Sequence, residues 1–337
     1  MLAYRLKGKD RAAFEEVPKP RAQPGEVVIA IHANGLCRSD IHHLHGTTPG
    51  ERSTMGHEGA GVVEALGEGV EGLNVGDRVV VNYVNPDGSC PMCRRGREDV
   101  CERLPLGFGT DGVFAEALAI PARNVAVLPE AVPFDEGAIL GCAGATAYRA
   151  TSRSDLRPGM SCMIIGLGGV GMQAVAIAKL FGASPLVAVD VRDAKLALAK
   201  RLGADLLVNA AKEDPVAVAR SLGDGRGVDV AFEYIGLAKT LNQAIEATRW
   251  GGRTMMVGIP PGKIEFDAQA FNLGAKTLMA TQGHTNQDLR EVIDLRARGL
   301  LRTAETITHH LPFREIDKGI EILESQKGDP VRIALHH

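Results

Sequence analysis

The apolar positions of this 337-residue chain fall into two rhythms. Over residues 1 to about 125 the apolar runs are short and close-set. Val27-Val-Ile-Ala-Ile31 is an unbroken run that closes near Asn34-Gly35. Gly61-Val-Val-Glu-Ala-Leu66 alternates loosely, and Asp77-Arg-Val-Val-Val81 follows a Val75-Gly76 turn. Short strands set off by glycine turns predict a barrel-like β-rich unit. From about residue 155 strands alternate with helices. The pattern predicts strands at 161–165, 186–189, 206–208, 228–232, 253–257 and 277–280. It predicts helices over 170–182, 194–202, 215–222, 240–250 and 288–298. Six apolar strands alternating with helices predict a parallel, doubly wound sheet, since strands buried on both faces read as near-continuous apolar runs. The tail after 298 is mixed and is expected to return to the first unit.

Composition narrows the function classes. Hydrophobic residues make up 45% and charged residues 23%, enough apolar surface to offset chain entropy, so a disordered chain is excluded. Forty glycines without a three-residue period mean tight turns and ligand loops rather than collagen. The net charge of −3 provides no basic excess for a nucleic-acid backbone, so no nucleic-acid partner is expected. The N-terminus, Met1-Leu-Ala-Tyr-Arg-Leu-Lys, is charged almost at once, which argues against a secretory leader. No apolar run approaches ~18 residues, so no membrane partner is expected. Six cysteines, three of them between positions 90 and 101, point to thiol or metal chemistry in a reducing compartment, and the expected location is the cytoplasm. The closing His336-His337 pair is given no role in this reading.

Gly166-Leu-Gly168-Gly169-Val170-Gly171 stands between a strand and a helix, the context a dinucleotide fingerprint needs. The first glycine allows the tight turn, the second lets backbone approach a pyrophosphate, and the third lets helix and strand pack closely. Asp190 ends the next strand. A carboxylate there accepts both ribose hydroxyls and repels a 2′-phosphate, which favours NAD over NADP; Arg192, two residues on, is the opposing feature. A glycine-rich turn with an incidental Asp is the plain alternative.

Cys37, His57 and Cys142 are three soft or borderline donors of the kind Zn²⁺ takes, and three protein ligands leave a fourth position open for chemistry. Singly, each has an ordinary reading as a buried thiol or a structural histidine. Their sequence contexts carry more. Gly-Leu-Cys37-Arg-Ser-Asp-Ile-His, Gly56-His-Glu-Gly-Ala-Gly-Val-Val, Val75-Gly-Asp-Arg-Val79, Gly141-Cys-Ala-Gly-Ala-Thr146-Ala-Tyr and the glycine loop occur in that order. The chain thereby resembles the zinc-dependent medium-chain alcohol dehydrogenase family over essentially its whole length.

That resemblance implies a GroES-like, β-rich catalytic domain over 1–143, completed by 284–337, and a Rossmann NAD-binding domain over 144–283. It implies that Cys37, His57 and Cys142 hold a catalytic zinc, with Glu58 beside it and able to ligate it. Asp40 would orient His57 through its other ring nitrogen. Ser39 would hand the alcohol proton towards the cofactor ribose, and His42 would pass it to solvent. Arg38 would pair with the pyrophosphate, Thr146 would lie by the nicotinamide, and Lys195 by the adenosine ribose. Tyr83 would line the substrate pocket. His43 and His45 are expected at the surface, and Cys162 in the core. The implied reaction is reversible hydride transfer between a primary or secondary alcohol and NAD⁺, giving an aldehyde or ketone. A Lewis acid suits it, because hydride leaves readily only from an alkoxide, and alcohol pKa values lie far above 7. A dimer or tetramer is implied, with tetramer preferred.

Asp87-Gly-Ser-Cys90-Pro-Met-Cys93 through Cys101 resembles the family's structural zinc loop, with Asp87 in place of its first cysteine. Three thiolates and a carboxylate can still close a tetrahedral site, with a harder fourth ligand and weaker binding. A second departure is the polar stretch Gly50-Glu-Arg-Ser-Thr-Met55, which bears on the substrate entrance. Two other readings stay open: a zinc-free quinone or alkene reductase of the same superfamily, and a non-catalytic NAD-binding protein.

Overall fold

The chain opens with an antiparallel hairpin, β1 (Leu2–Gly8) and β2 (Arg11–Glu16), turned at Asp10 in the left-handed region (φ +59°). The long strand β3 (Glu26–Leu36) follows, and it continues past the apolar run that ends at Ile31. Helix α1 (Arg38–Leu44) starts directly after Cys37. Strands β4 (Glu58–Leu66) and β5 (Arg78–Val81), the short helix α2 (Pro91–Arg94), then β6 (Ala117–Pro121) and β7 (Val125–Val127) come next. Helix α3 (Phe134–Ile139) runs into a π-helical turn, Leu140–Gly144, and on into α4 (Ala145–Ser152). This computed structural model describes residues 1–46, 53–222, 225–260 and 262–337; the Gly50–Arg52 part of the polar stretch noted above lies outside them.

The alternating region follows. Its strands are β8 (Cys162–Ile165), β9 (Leu186–Asp190), β10 (Leu206–Asn209), β11 (Val228–Glu233), β12 (Thr248–Met256) and β13 (Thr277–Ala280). Its helices are α5 (Gly169–Leu180), α6 (Asp193–Arg201), α7 (Pro215–Arg220), α8 (Ala238–Ala247) and α9 (Ala268–Leu273). All six strands are parallel, in the order β10-β9-β8-β11-β12-β13, the doubly wound order for two mononucleotide-binding halves. The helix expected over 240–250 ends at Ala247 instead. Thr248 already pairs with Val228, and Arg249 binds Asp229 at 2.6 Å, so the strand starts before Gly251-Gly252 and takes the last residues expected in the helix.

The tail contributes α10 (Asn286–Ala297), β14 (Ile307–Pro312), α11 (Ile316–Ser325) and β15 (Arg332–His336). Strand β15 pairs antiparallel with β3, giving a mixed sheet in the order β14-β15-β3-β4-β5-β7, with β6 also on β3. The chain forms two units: Met1–Ala145 with Gly283–Gly299 and Ile307–His337, and Thr146–Gln282 with Leu300–Thr306. Leu300–Thr306 was expected with the first unit but belongs to the second. Gln173 of α5 donates to Thr306 Oγ1 at 2.9 Å, and Arg302 donates to the Arg201 carbonyl at 2.8 Å.

The first unit's core gathers Val27, Ile29 and Ile31 of β3 with Val63, Val79, Phe114, Ile316 and Ile333, and a ladder of edge-on rings runs Tyr4–Phe14–Phe313. The second is centred on Met163, Ile165, Val187, Val189 and Ala231. Cys162 is fully buried there, and burial pushes its thiol far up.

Candidate active site and metal centres

Four donors converge inside the first unit. Ligand atoms of Cys37, His57, Glu58 and Cys142 all lie within 4.8 Å of one another, and all four residues are buried. Each arrives by a different route. Cys37 stands between β3 and α1, His57 and Glu58 at the start of β4, and Cys142 inside the π-helical turn. π-turns widen a helix locally and often mark functional positions.

Asp40, in the first turn of α1, ties two donors together. One carboxylate oxygen accepts the Cys37 backbone N–H at 2.9 Å and the other is 2.9 Å from His57 Nδ1. That bond leaves His57 Nε2 for the pocket. Burial opposes charging His57, but the Asp40 carboxylate and the Cys37 thiol raise its pKa to about 10. The hydrogen bond with Cys142 holds the Cys37 thiol well below its usual range despite burial, with His57 and Arg332 acting the same way. Glu58 is fully buried: Arg332 of β15 pairs with its Oε2, while Oε1 lies 3.8 Å from His57 Nε2 with no hydrogen-bond partner among the described residues. Two sulfurs, an imidazole nitrogen and an orphaned carboxylate oxygen form a donor set that fits zinc.

Around this pocket, Ser39 Oγ lies 3.8 Å from Cys37 Sγ. His42 has its pKa lowered by burial and by the Arg38 charge. Arg38 donates to the Leu323 carbonyl at 3.1 Å. The Tyr83 ring packs edge-on against both His57 and His284, each at 5.2 Å, and Phe108 lies 5.2 Å from His57. His43 is buried against Phe108 rather than at the surface, because α1 turns it inward. His45 is half exposed and bonded at both ring nitrogens, to Asp10 and Glu324.

A second cluster sits in one loop. Ligand atoms of Asp87, Cys90, Cys93 and Cys101 also lie within 4.8 Å of one another. Backbone N–H groups already point at them: Ser89 and Cys90 donate to Asp87 Oδ1 at 2.6 and 2.8 Å, Cys93 to Cys90 Sγ, and Asp87 and Arg103 to Cys101 Sγ. The Cys90 and Ser89 N–H groups hold the Asp87 carboxyl well below the usual range. The donor chemistry fits zinc here too, with Asp87 in the position of a ligand.

In the second unit Gly166 takes φ +93°, and a Cβ on Gly171 would collide with the Gly166 carbonyl, so α5 approaches β8 as closely as backbone allows. A Cβ on Gly168 would meet nothing, leaving open the flank a phosphate would use. Gly169 and Val170 begin α5. Asp190 braces the loop: its carboxylate accepts from Leu167 N at 2.8 Å and Arg192 N at 3.0 Å. Lys195 is buried in the first turn of α6, and the buried Thr146 hydroxyl has no partner among the described residues. Glu233, which the sequence reading misses, is fully buried at the end of β11 and accepts from Ile235 N, Gly236 N and the Thr240 hydroxyl. Ile235 in turn limits the space beside Gly166, where an added Cβ would meet its side chain.

Residues 23–130 match the family model for an alcohol dehydrogenase GroES-like domain, and 169–298 that for a zinc-binding dehydrogenase. The chain belongs to the zinc-dependent medium-chain alcohol dehydrogenase family. Within it, an alcohol dehydrogenase of Geobacillus stearothermophilus is 36% identical over 92% of this chain and 94% of its own. An L-threonine 3-dehydrogenase of Symbiobacterium thermophilum is 34% identical over 97% and 95%. The solved alcohol dehydrogenase TADH from Thermus sp. ATN1 superposes with a TM-score of 0.93 at 34% identity, covering 100% of this chain and 99% of that one. The first unit is thus a GroES-like domain of this oxidoreductase family, and the second carries the Rossmann-type parallel sheet. Among the described residues no helix is long and apolar enough to cross a membrane.

Proposed function

We propose that this family member is an NAD- and zinc-dependent alcohol dehydrogenase that interconverts a primary or secondary alcohol with its aldehyde or ketone. The observation that carries the reading is the buried convergence of Cys37, His57, Glu58 and Cys142, with Asp40 on the far nitrogen of His57. When bound, zinc would supply a Lewis acid for the alcohol oxygen and NAD⁺ an acceptor for hydride. Cys37, His57 and Cys142 would hold the metal. Glu58, anchored by Arg332, would keep one carboxylate oxygen beside it. Asp40 fixes the His57 tautomer and aligns Cys37 through one side chain. Ser39 would take the substrate proton, and His42 would carry it out: its lowered pKa keeps the ring neutral at pH 7 and ready to accept.

Gly166–Gly171 with Asp190 would hold NAD, the carboxylate disfavouring a 2′-phosphate. Lys195 and Thr146 would complete that site. The Asp87 loop would hold a second, structural zinc. Exposed Trp250 of β12 and Leu273 of α9, together with β13 as the terminal strand of its sheet, support assembly of identical chains into a tetramer, or else a dimer. Three soft donors on a zinc-free reductase would have no task, which favours the zinc enzyme over that alternative.

The deciding experiment combines zinc counting with reduced-nicotinamide absorbance, using NAD⁺ or NADP⁺ and a panel of alcohols that includes L-threonine. Turnover with NAD⁺ and about two zinc per chain is the expected result. Full zinc loading with no turnover of any alcohol would overturn the reading. Asp190→Ala should weaken NAD⁺ and relax discrimination against NADP⁺.

A further inference from the structure

We propose that Asp135, His310 and His336 form a third metal site, on the surface of the first unit, for a divalent transition-metal ion. It shares no residue with the two cysteine-bearing clusters and contains no sulfur.

The fold brings the three together from three elements. In the parallel pair β14–β15, Pro312 lies opposite His336 and His310 opposite Ala334. Side chains two apart on a strand share a face, so His310 and His336 project from the same face as diagonal neighbours. Their rings stack 5.3 Å apart at 23°. His310 Nδ1 is 3.0 Å from His336 Nε2 and 3.6 Å from Asp135 Oδ2, and the three ligand atoms all lie within 4.8 Å of one another. Donors placed tetrahedrally at ~2.0–2.2 Å from an ion lie about 3.4 Å apart. The two observed separations bracket that spacing.

The surrounding contacts fix the donors in advance. Asp135 follows Phe134, whose ring stacks on His32 of β3 at 4.7 Å under the Arg78 guanidinium at 4.3 Å. Its Oδ1 accepts the Glu136 N–H at 2.8 Å, which leaves Oδ2 for an ion. On the other side His337 stacks on Phe313 at 4.1 Å and meets Asn34 Oδ1 at 2.7 Å, so the chain end next to His336 is pinned rather than frayed. Two imidazoles and one carboxylate are the donors preferred by Zn²⁺, Ni²⁺ and Cu²⁺, and water can complete the shell at an exposed site. An ion there would clip β14 and the end of β15 to α3, the helix that runs into the Cys142 turn.

The test is equilibrium dialysis of the zinc-loaded enzyme against Zn²⁺, comparing wild type with His310→Gln and His336→Gln. Wild type should bind one more equivalent per chain than either variant, and added Zn²⁺ should raise its thermal midpoint but not theirs. Alcohol turnover should be unchanged in both variants, because neither residue touches the active site. Because the reading is a difference between wild type and variants, it does not depend on how many ions the cysteine-bearing clusters hold. Equal zinc in wild type and variants would overturn the site and leave the two histidines as a hydrogen-bonded pair.

Discussion

The buried pocket of the first unit draws its donors from positions 37, 57, 58 and 142, whereas the cysteine loop draws all of its donors from positions 87 to 101. In the loop, backbone N–H groups of near neighbours solvate the sulfurs and the Asp87 carboxylate. In the pocket, the same service comes from far away: Asp40 reaches His57, and Arg332 reaches back across 274 positions to Glu58. Similar donor chemistry is thus assembled once by local sequence and once by the whole fold. The loop should depend on its metal and little else, and the pocket on every contact that aligns β3, β4, β15 and the π-helical turn.

Removing a pocket donor should give the largest effect. Cys37→Ser should lower turnover on the order of 10⁴-fold, since a Lewis acid supplies several kcal/mol of barrier. NAD⁺ binding, followed by fluorescence, should change little, because the glycine loop lies in the other unit. The matching Cys93→Ser change should spare the chemical step and shorten the enzyme's lifetime in chelator. Similar turnover losses in the two variants would erase the distinction between the clusters.

Next in size is Arg332→Leu. Glu58 and Arg332 are 0% and 2% exposed, so the variant strands a carboxylate in the interior. Breaking a buried pair from one side costs about 3–5 kcal/mol, while replacing both partners with apolar groups is often neutral. Urea denaturation should show Arg332→Leu strongly destabilised and Arg332→Leu with Glu58→Leu largely restored, but still impaired in turnover. Equal losses in the single and double variants would show that packing rather than charge holds β15 in the sheet beside β3.

The same contrast explains what could be read from the chain before folding. The loop's cysteine spacing, the glycine fingerprint and all six strands of the parallel sheet are local signals, and each has its counterpart in the structure. Arg332 gave no signal, because an arginine in a C-terminal strand reads as solvated until the strand is seen to lie against β3. Glu233 was missed for the same reason. The π-turn around Cys142 leaves no periodic trace beyond its two glycines, Gly141 and Gly144. His43 was placed at the surface because three histidines in one short stretch read as polar, and only the α1 geometry buries it. His336 and His337 were given no role, yet the first lies in β15 and the second stacks on Phe313.

A smaller effect is expected at the loop's odd ligand. Asp87→Ala removes a donor and the acceptor for two backbone N–H groups, and should weaken zinc in the loop by about tenfold or more, read from release to a chromogenic chelator. Asp87→Cys should slow release below wild type, since thiolate is the softer ligand. Turnover measured before the loop empties should be the same in all three proteins.

The smallest predicted effect tests whether contacts remote from the pocket support it. His45 caps the C-terminal end of α1, the helix that begins just after Cys37. Its Nδ1 and Nε2 each lie 2.6 Å from a carboxylate oxygen, of Asp10 and of Glu324. Two acceptors require the doubly protonated ring, and the Asp10 bond, followed by the Glu324 bond, raises the pKa above its ordinary value. A folded-state pKa above the unfolded one stabilises fully below about 6.5, and the contribution fades as pH rises through the folded value. The ring is 42% exposed, so the gain stays within about 1 kcal/mol and shrinks with salt. His45→Gln should therefore be less stable than wild type near about pH 6, with the gap closing at higher pH and in high salt. Zinc affinity of the pocket should fall slightly in parallel, and that of the cysteine loop should not move. A gap that widened with pH would show that the ring works as a neutral acceptor and that α1 is held by packing alone.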